Sequence, residues 1–172
     1  MAKSKLGGDD NNEGEGEDTQ VGLDTIGCTA NLVMVDYEAQ KVFVANAGDS
    51  RCVMGKGGEA IPLSFDHKPE DEIEIKRIEN AGSVIVEGRV DGNLNLTRAL
   101  GDLKYKTKEG LKAEEMPITA NPDTFAYDLT SDCDFIIMGC DGVWETKSND
   151  EMVEWVYAKL KNFSKEPSVS DI

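Results

Sequence analysis

The feature that most constrains the fold is a largely apolar run, residues 134–140, that ends at Asp141-Gly142. A short apolar run that ends at a glycine is typical of a buried β-strand. Such a strand would carry the Asp141 carboxylate to its interior end, where an uncompensated charge is costly. Gly142 permits a sharp exit from the strand and leaves the backbone open to a ligand. A metal ion would supply the compensation.

Two further runs end in the same way, one extending from Val42 to Asp49 and the other from Leu94 to Asp102. A single Gly-Asp pair after a strand is most simply an ordinary turn, because both residues are common in turns. Two Gly-Asp pairs and one Asp-Gly pair in one domain favour a common site. Oxygen ligands, without paired cysteines or several histidines, suit Mg²⁺ or Mn²⁺ better than zinc.

Length and charge limit the classes of protein to consider. The 172 residues suffice for one domain, and a hydrophobic share of 39% supports a single core. The 34 acidic and 18 basic residues give a net charge of −16. This charge argues against nucleic acid and anionic membranes as partners and favours cations and basic proteins.

The cysteines and the ends of the chain bear on its compartment. The four cysteines show no Cys-x-x-Cys spacing, which favours buried free thiols in a reducing compartment. No apolar segment reaches membrane-spanning length, and the N-terminus lacks a signal-peptide core. We therefore expect a soluble protein of the cytosol or nucleus.

The chain divides into three parts by composition. Residues 7–20 hold six acids and four glycines without a large apolar side chain, so residues 1–20 are predicted to be a flexible acidic leader. This leader is either a solvated linker or a segment that binds basic proteins. Residues 21–163 are predicted to form the globular domain, and residues 164–172 a C-terminal tail.

The hydrophobic pattern predicts an α+β fold with many antiparallel strands and few helices. Strands are expected at residues 31–36, 41–47, 51–54, 59–63, 83–87 and 124–129, in addition to the three runs above. A helix of about three turns is expected between Pro69 and Gly82. Residues 103–122 are predicted to be a surface loop. Ser148 and Glu151 fit a capping box for a final amphipathic helix with apolar positions from Met152 to Leu160.

Several longer motifs occur in a fixed order along the chain. They are Gly27-Cys-Thr-Ala30, Val44-Ala-Asn-Ala-Gly-Asp-Ser-Arg51, Asp66-His-Lys-Pro-Glu-Asp-Glu72, Ala81-Gly82, Gly88-Arg-Val-Asp-Gly-Asn-Leu-Asn-Leu-Thr-Arg-Ala-Leu-Gly-Asp102 and Cys140-Asp-Gly-Val-Trp144. With these motifs the chain resembles the PP2C family of metal-dependent protein phosphatases over roughly residues 25–160. The acidic leader and the motif that begins at Asp66 are most similar to the gamma-type members.

The resemblance implies a layered β-sandwich flanked by helices, with a two-metal centre at one end of the sheets. It implies Mg²⁺ or Mn²⁺ as cofactors and phosphoserine or phosphothreonine proteins as substrates. In that chemistry a metal-activated water attacks phosphorus, and the metals neutralise the charge that develops on the phosphoryl oxygens.

The resemblance also assigns roles to particular residues. Asp141 matches a direct ligand of the two-metal centre, and Asp102 matches a carboxylate that organises metal-bound water. Asp49 and Glu145 fall where the family has carboxylates associated with a weaker third metal, although Glu145 replaces the more usual Asp or Asn. Arg98 is expected either to orient the substrate phosphate or to form a structural ion pair.

Some family features have no counterpart in this sequence. His67 is the only histidine, and it is assigned a structural role because the family's catalytic histidine lies in an Asp-Gly-His-Gly-Gly segment that is absent here. The N-terminal phosphate-binding arginine and the C-terminal Asp-Asn strand are also absent. The resemblance therefore implies a domain that is incomplete at both ends, with weak metal binding and open sheet edges.

Three hypotheses about function follow. The first makes the chain part of a Ser/Thr phosphatase and inactive alone. The second makes it a non-catalytic interaction module whose leader binds basic proteins. In the third, a separate chain supplies the missing strands.

Overall fold

The structure is a computed structural model that describes residues 22–161. The predicted leader, residues 1–20, and the predicted tail, residues 164–172, lie outside the described residues, so the domain boundaries stay predictions. The longer elements are the strands β2 Ala30–Asp36, β3 Lys41–Ala47, β4 Arg51–Lys56, β5 Glu59–Pro62, β9 Asp123–Asp128 and β10 Cys133–Gly139, and the helices α1 Glu72–Asn80, α2 Asp141–Trp144 and α3 Asn149–Lys161. Short strands are β1 Gly27–Cys28, β6 Ile85–Val86, β7 Arg89–Val90 and β8 Leu100–Gly101.

Two three-stranded antiparallel sheets form the body of the described chain. In one, β3 lies between β2 and β9, so that Val44 stands opposite both Val33 and Phe125. In the other, β4 lies between β10 and β5, and Val53 stands opposite Ile137 and Pro62. The strands predicted at 31–36, 41–47, 51–54, 59–63 and 124–129 are confirmed, with small shifts at their ends.

The two sheets pack face to face around one apolar cluster. Residues on β3 alternate between buried and half-buried positions, as expected for a strand with one face toward a core. The cluster joins β3 to β4 and to the residue after β5, and its buried members are Val42, Val44, Cys52, Met54 and Leu63. Each fully buried side chain of this kind contributes roughly 1.5–3 kcal/mol. The predicted α+β sandwich flanked by helices is confirmed.

The final helix covers the outer face of the second sheet. Val153 of α3 and Trp144 of α2 pack on Val53 of β4. The predicted capping box is present, because the Ser148 N–H donates to Glu151 Oε2 at 2.8 Å and the Glu151 N–H donates to Ser148 Oγ at 3.2 Å.

Trp155, one of the apolar positions predicted for this helix, is not buried. Trp155 is 38% exposed, and the Lys159 ammonium lies 5.2 Å from the centre of its ring. The 3.6-residue period places Trp155 at the border of the apolar face, where an indole can keep one side in water. Val153 and Val156 are the buried positions of α3.

Ser148→Ala tests the capping box. We expect this change to lower the free energy of unfolding by about 1 kcal/mol, because the first turn of α3 loses a side-chain acceptor. Urea denaturation of the two proteins measures the difference. Ser131→Ala, at an exposed turn position, is the control and should change little; equal effects of the two substitutions would contradict the role of the cap.

Two predicted segments differ from the structure. The strand expected from Leu94 to Asp102 is wrong except for β8, because the chain turns inward and Arg98 extends toward α1. The surface loop expected at residues 103–122 is wrong for 116–119, where Ile118 is fully buried against Ile78 and Ala99. An isolated bridge between Arg98 and Thr119 joins these two segments.

The thiols only partly follow the prediction. All four cysteines are free, but Cys52 alone is buried, whereas Cys28 and Cys140 are exposed and Cys133 is half-buried. Burial raises the pKa of the Cys52 thiol. In the described part of the chain, no helix has the length and apolar character needed to cross a membrane.

Candidate metal centre

The Asp49 carboxylate lies at a tight corner just after β3. Asp49 is 4% exposed, and the preceding Gly48 has a φ of 113°. A β-carbon on Gly48 would lie 2.5 Å from Thr29 Cγ2 and 3.0 Å from the Arg98 carbonyl oxygen. Only glycine fits this corner without rearrangement, because both the backbone angle and the space exclude a side chain.

His67 holds the same corner from the other side. The Gly48 N–H lies 3.1 Å from His67 Nδ1, and the His67 N–H donates to the Gly48 carbonyl at 3.1 Å. His67 Nε2 lies 3.2 Å from Asp123 Oδ2. The ring is buried and both of its nitrogens have protein partners, so the geometry matches the structural role predicted for His67.

Asp141 begins α2, directly after β10. Its Oδ1 accepts a hydrogen bond from the Gly142 N–H at 2.8 Å, and the carboxylate is half-buried. Trp144 fixes this turn, because its indole N–H is shared between the carbonyls of Gly139 at 2.9 Å and Arg51 at 3.2 Å. The predicted position of Asp141 just after a strand is confirmed, but the interior end expected for it is wrong, because no residue of β10 is fully buried and α2 begins at Asp141 itself.

Strand register brings Asp141 and Asp49 to the same edge of the molecule. Gly139, the last residue of β10, pairs with Arg51, the first residue of β4. Asp141 follows Gly139 by two residues and Asp49 precedes Arg51 by two, so antiparallel pairing directs both chain segments to one corner. We call this region, made of Asp49, Asp66, Lys68 and Asp141, the acidic corner.

Lys68 lies among the carboxylates of the acidic corner. Its ammonium donates to Asp49 Oδ2 at 2.6 Å. Burial alone would lower the pKa of Lys68, but the hydrogen bond to Asp49 and the charges of Asp49, Asp66 and Asp141 outweigh it and hold that pKa above its ordinary value. The three carboxylates therefore act on one cation.

Arg51 is the second cation of this region. Its guanidinium binds Asp66 through two hydrogen bonds of 2.8 Å and donates to Asn149 Oδ1 at 2.8 Å. The hydrogen bond to Asp66 raises the pKa of Arg51, although burial opposes it. Arg51 thus ties the loop that carries Lys68 to the start of α3.

Asp102 lies at a second corner, after β8. Its backbone is left-handed with a φ of 49°, and the residue is only 7% exposed. The side chain packs on Gly27, where a β-carbon would collide with the Asp102 carboxylate. Within residues 22–161 that carboxylate accepts no hydrogen bond, and the nearby Lys106 donates instead to the Ala99 carbonyl at 2.6 Å. Asp102 is thus a nearly buried residue in a left-handed backbone conformation, and such conformations cluster at functional sites.

The remaining predicted site residues are Glu145 and Arg98. Glu145 directly follows α2, and its side chain is exposed. The Arg98 guanidinium is directed inward, where Nη2 donates to Glu74 Oε1 at 2.6 Å and Nη1 to Asp123 Oδ1 at 2.7 Å. This is the structural ion pair that the sequence left open as one alternative. The substrate role of Arg98 stays a prediction, as do the metal roles of Asp49, Asp102, Asp141 and Glu145.

The residues described fit a hard divalent cation only in part. Asp49 and Asp102 are nearly buried carboxylates, and carboxylate oxygens are the donors that Mg²⁺ and Mn²⁺ prefer. Yet within the described residues, no three or more His, Cys, Asp or Glu side chains are grouped so as to hold a metal. Sequence reasoning missed Lys68, Glu74 and Asp123, and only the Asp-His-Lys-Pro motif gave a signal for the first of these.

The fold and this corner define a class, namely two-sheet sandwich proteins that present carboxylates where strands end. A family model described as "Protein phosphatase 2C" matches residues 2–170. "Probable protein phosphatase 2C 21" of Arabidopsis thaliana is 44% identical over 147 residues, which are 86% of this chain and 41% of the relative. "Protein phosphatase 1G" of Homo sapiens is 46% identical over 135 residues, which are 78% of this chain and 24% of the relative.

Solved structures give the same result. "Structure of a C.elegans sex determining protein" superposes with a TM-score of 0.69 at 28% identity, covering 79% of this chain and 32% of that one. "Crystal structure of a phosphatase from a pathogenic strain Toxoplasma gondii" gives a TM-score of 0.61 at 34% identity, covering 70% and 37%. The chain belongs to the protein phosphatase 2C family, and it spans less than half the length of these relatives.

Proposed function

We propose that this chain contributes the acidic corner of a metal-dependent phosphatase domain that hydrolyses phosphoserine and phosphothreonine in proteins. The observation that carries the proposal is the convergence of Asp49 and Asp141 on one edge, a consequence of the register between β4 and β10. Family membership supports the class of reaction. When bound, Mg²⁺ or Mn²⁺ supplies an activated water and charge neutralisation for phosphoryl transfer.

Some residues of the chain would bind cations, and others hold the backbone of the acidic corner in place. Asp141 would bind one metal directly, and Asp49 with Glu145 would bind a weaker third one. Asp102, nearly buried and without a hydrogen-bond partner among residues 22–161, would orient water at the second corner. Gly48 and His67 fix the backbone that aims Asp49, since neither can move without breaking the hydrogen bonds that link them.

We propose further that the isolated chain binds divalent cations weakly and is inactive by itself. Affinity for a hard cation depends on the number and charge of the oxygen ligands. The described residues include no complete donor group, which supports this expectation. Additional ligands would come from other parts of a longer phosphatase.

Asp141→Asn in a longer protein that contains this chain tests the proposal. We expect Mn²⁺-dependent hydrolysis of a phosphothreonine peptide to fall about tenfold or more, because a metal ligand loses its charge. Initial rates measured across a Mn²⁺ titration separate weaker metal binding from slower chemistry. Asp134→Asn, at an exposed position on β10, the strand that leads to Asp141, is the matched control, since asparagine can still accept the hydrogen bond from the Tyr157 hydroxyl. Absence of any Mn²⁺-dependent activity, or equal activity of both variants, would contradict the proposal.

A second candidate function is suggested by the acidic residues at the N-terminus. Residues 7–20 hold six acids and four glycines, and the whole chain has a charge of −16. Such a segment attracts basic proteins by long-range electrostatics. Binding of a lysine-rich protein with and without residues 7–20, at low and high salt, tests this function. Equal binding of the two forms would remove the segment from consideration.

We also infer that the chain works in the cytosol or nucleus. The described cysteines are all free, and two of them are exposed, which suits a compartment that keeps thiols reduced. Microscopy of a tagged longer protein tests this inference, and secretion into the medium would overturn it.

A further inference from the structure

A cluster of lysines follows the corner at Asp102. Residues 104–112, which we call the lysine loop, contain four lysines and one acidic residue, Glu109. Four positive charges and one negative charge give this segment a net charge of +3, whereas the whole chain carries −16. A chain of such charge repels acidic molecules over most of its surface. The lysine loop is therefore a place where an acidic segment would be attracted.

Three of the four lysines have ammonium groups without a carboxylate partner in the described chain. Lys106 serves another purpose, because its ammonium donates to the Ala99 carbonyl at 2.6 Å and holds the loop against the fold. Lys104, Lys108 and Lys112 are exposed, and none of them forms an ion pair within residues 22–161. The lysine loop thus presents three cations that could bind carboxylates from another segment.

An open cavity of about 380 Å³ adjoins the lysine loop and leaves room for acidic side chains. Lys104 and Lys108 line this cavity, and Asp91 is the acidic residue among its lining side chains. The two oxygens of Asp91 accept hydrogen bonds from the Val84 N–H at 3.1 Å and from Ser83 Oγ at 3.2 Å. Asp91 is therefore held within its own segment, and the two lysines remain for a different acid.

The acidic leader joins the described chain beside the lysine loop. The first described element is a short 3₁₀ helix, Leu23–Thr25, and it lies against the 3₁₀ helix Leu103–Tyr105, which contains Lys104. Asp18 is the last of the six acids of the leader, and it precedes this first element by five residues. Five residues can span at most about 17 Å, so the acids begin within a short distance of the lysines.

We propose that the acidic leader, through residues 9–18, binds the lysine loop of the same chain. Single exposed ion pairs are weak, but the short connection holds the two segments at an effective concentration in the millimolar range. The contact requires neither a bound metal nor phosphatase activity. A basic protein that binds the leader has to displace the lysine loop, so the contact restricts such binding to partners with a higher density of positive charge.

Cross-linking of the unaltered chain with a carbodiimide tests this contact, because the reagent joins carboxylates to lysine amines that touch them. We expect mass spectrometry to find residues 9–18 linked to the lysine loop, with a yield independent of protein concentration. The yield should fall about fivefold between about 0.02 M and 1 M salt, where the screening length is about 3 Å. Absence of these links, or links to Lys76 and Lys161 in equal yield, would overturn the proposal. A yield that rises with protein concentration would assign the contact to a second copy and also overturn it.

A double variant, Lys104→Gln with Lys108→Gln, tests the contact without a reagent. Both side chains are exposed, so the fold should be retained. We expect the backbone amide NMR signals of residues 9–18 to shift toward the positions that the unaltered chain gives at 1 M salt. The matched control, Lys76→Gln with Lys161→Gln, removes the same charge from exposed positions of α1 and α3 and should leave these signals nearly unchanged. Equal shifts in the two variants would show a response to net charge alone and reject the contact.

Discussion

Replacing Arg98 with methionine is expected to lower the free energy of unfolding by about 3 kcal/mol, because it leaves a buried carboxylate without its main partner. Glu74 is 2% exposed and Arg98 is 7% exposed. Arg98 holds Glu74 Oε1 at 2.6 Å and also Asp123 Oδ1 at 2.7 Å. Arg77 stays bonded to Glu74 Oε2 at 2.6 Å, which places the expected loss at the lower end for a broken buried ion pair.

Two comparison variants make the effect of Arg98→Met specific. Arg89→Met removes an exposed guanidinium whose partner among the described residues is the Asn93 carbonyl, and it should change stability by no more than about 0.5 kcal/mol. Arg98→Lys keeps the charge but cannot bind Glu74 and Asp123 at the same time, so it should be intermediate. Urea denaturation monitored by tryptophan fluorescence measures all three. If Arg98→Met were as stable as Arg89→Met, the buried network would not support the fold.

The Arg98 network also connects the fold to the candidate site. The Arg98 guanidinium binds Glu74 of α1 and also Asp123. Asp123 contacts the His67 ring, and that ring contacts the Gly48 N–H at the corner. Arg98 lies four residues before Asp102, on the segment that leads to the second corner. Loss of Arg98 is therefore expected to shift the backbone at both corners, whether or not its guanidinium contacts a phosphate.

The sequence predicted the strands well, and the reason is local. Residues 41–47 alternate because one face of β3 packs in the core, and period-two patterns of this kind can be recognised without knowing the partner strands. The glycine–aspartate pairs after strands could also be recognised, because each is a local feature of the sequence. The antiparallel register that unites Asp49 with Asp141 depends on β4 and β10, which are about 80 residues apart in the chain, and no local pattern contains it.

The buried charges could not be predicted in this way. Glu74 lies in the first turn of α1, where an acidic residue is ordinarily an exposed partner of the helix dipole. Its burial depends on Arg98 and Thr97, which approach from more than 20 residues away. Lys68 presents the same difficulty, since a lysine in a polar motif is usually solvated and only the folded loop directs its ammonium to Asp49.

Glu74 is also expected to make the fold sensitive to acid. Burial opposes ionisation of this carboxyl, but hydrogen bonds from Arg98 and Thr97 and the charge of Arg77 outweigh it and lower its pKa from 4.5 to about 2. A depressed pKa means that the stabilisation is present above the unfolded-state value and is lost as pH falls toward the folded-state value. The difference corresponds to about 3 kcal/mol, present at neutral pH and lost between about pH 4.5 and pH 2.

Comparison with Glu74→Gln isolates this contribution from that of other acids. The pKa of Asp123 is also lowered, because the bonds to Arg98 and His67 outweigh the effect of burial, so acid weakens the fold at more than one position. Glutamine cannot ionise, and the variant should be about 3 kcal/mol less stable than the unaltered chain at pH 7 but within about 1 kcal/mol of it at pH 2. Urea denaturation at intervals between pH 7 and pH 2 measures this gap. A gap that stays constant with pH would show that Glu74 is not ionised in the folded chain, and the buried ion pair would have to be abandoned.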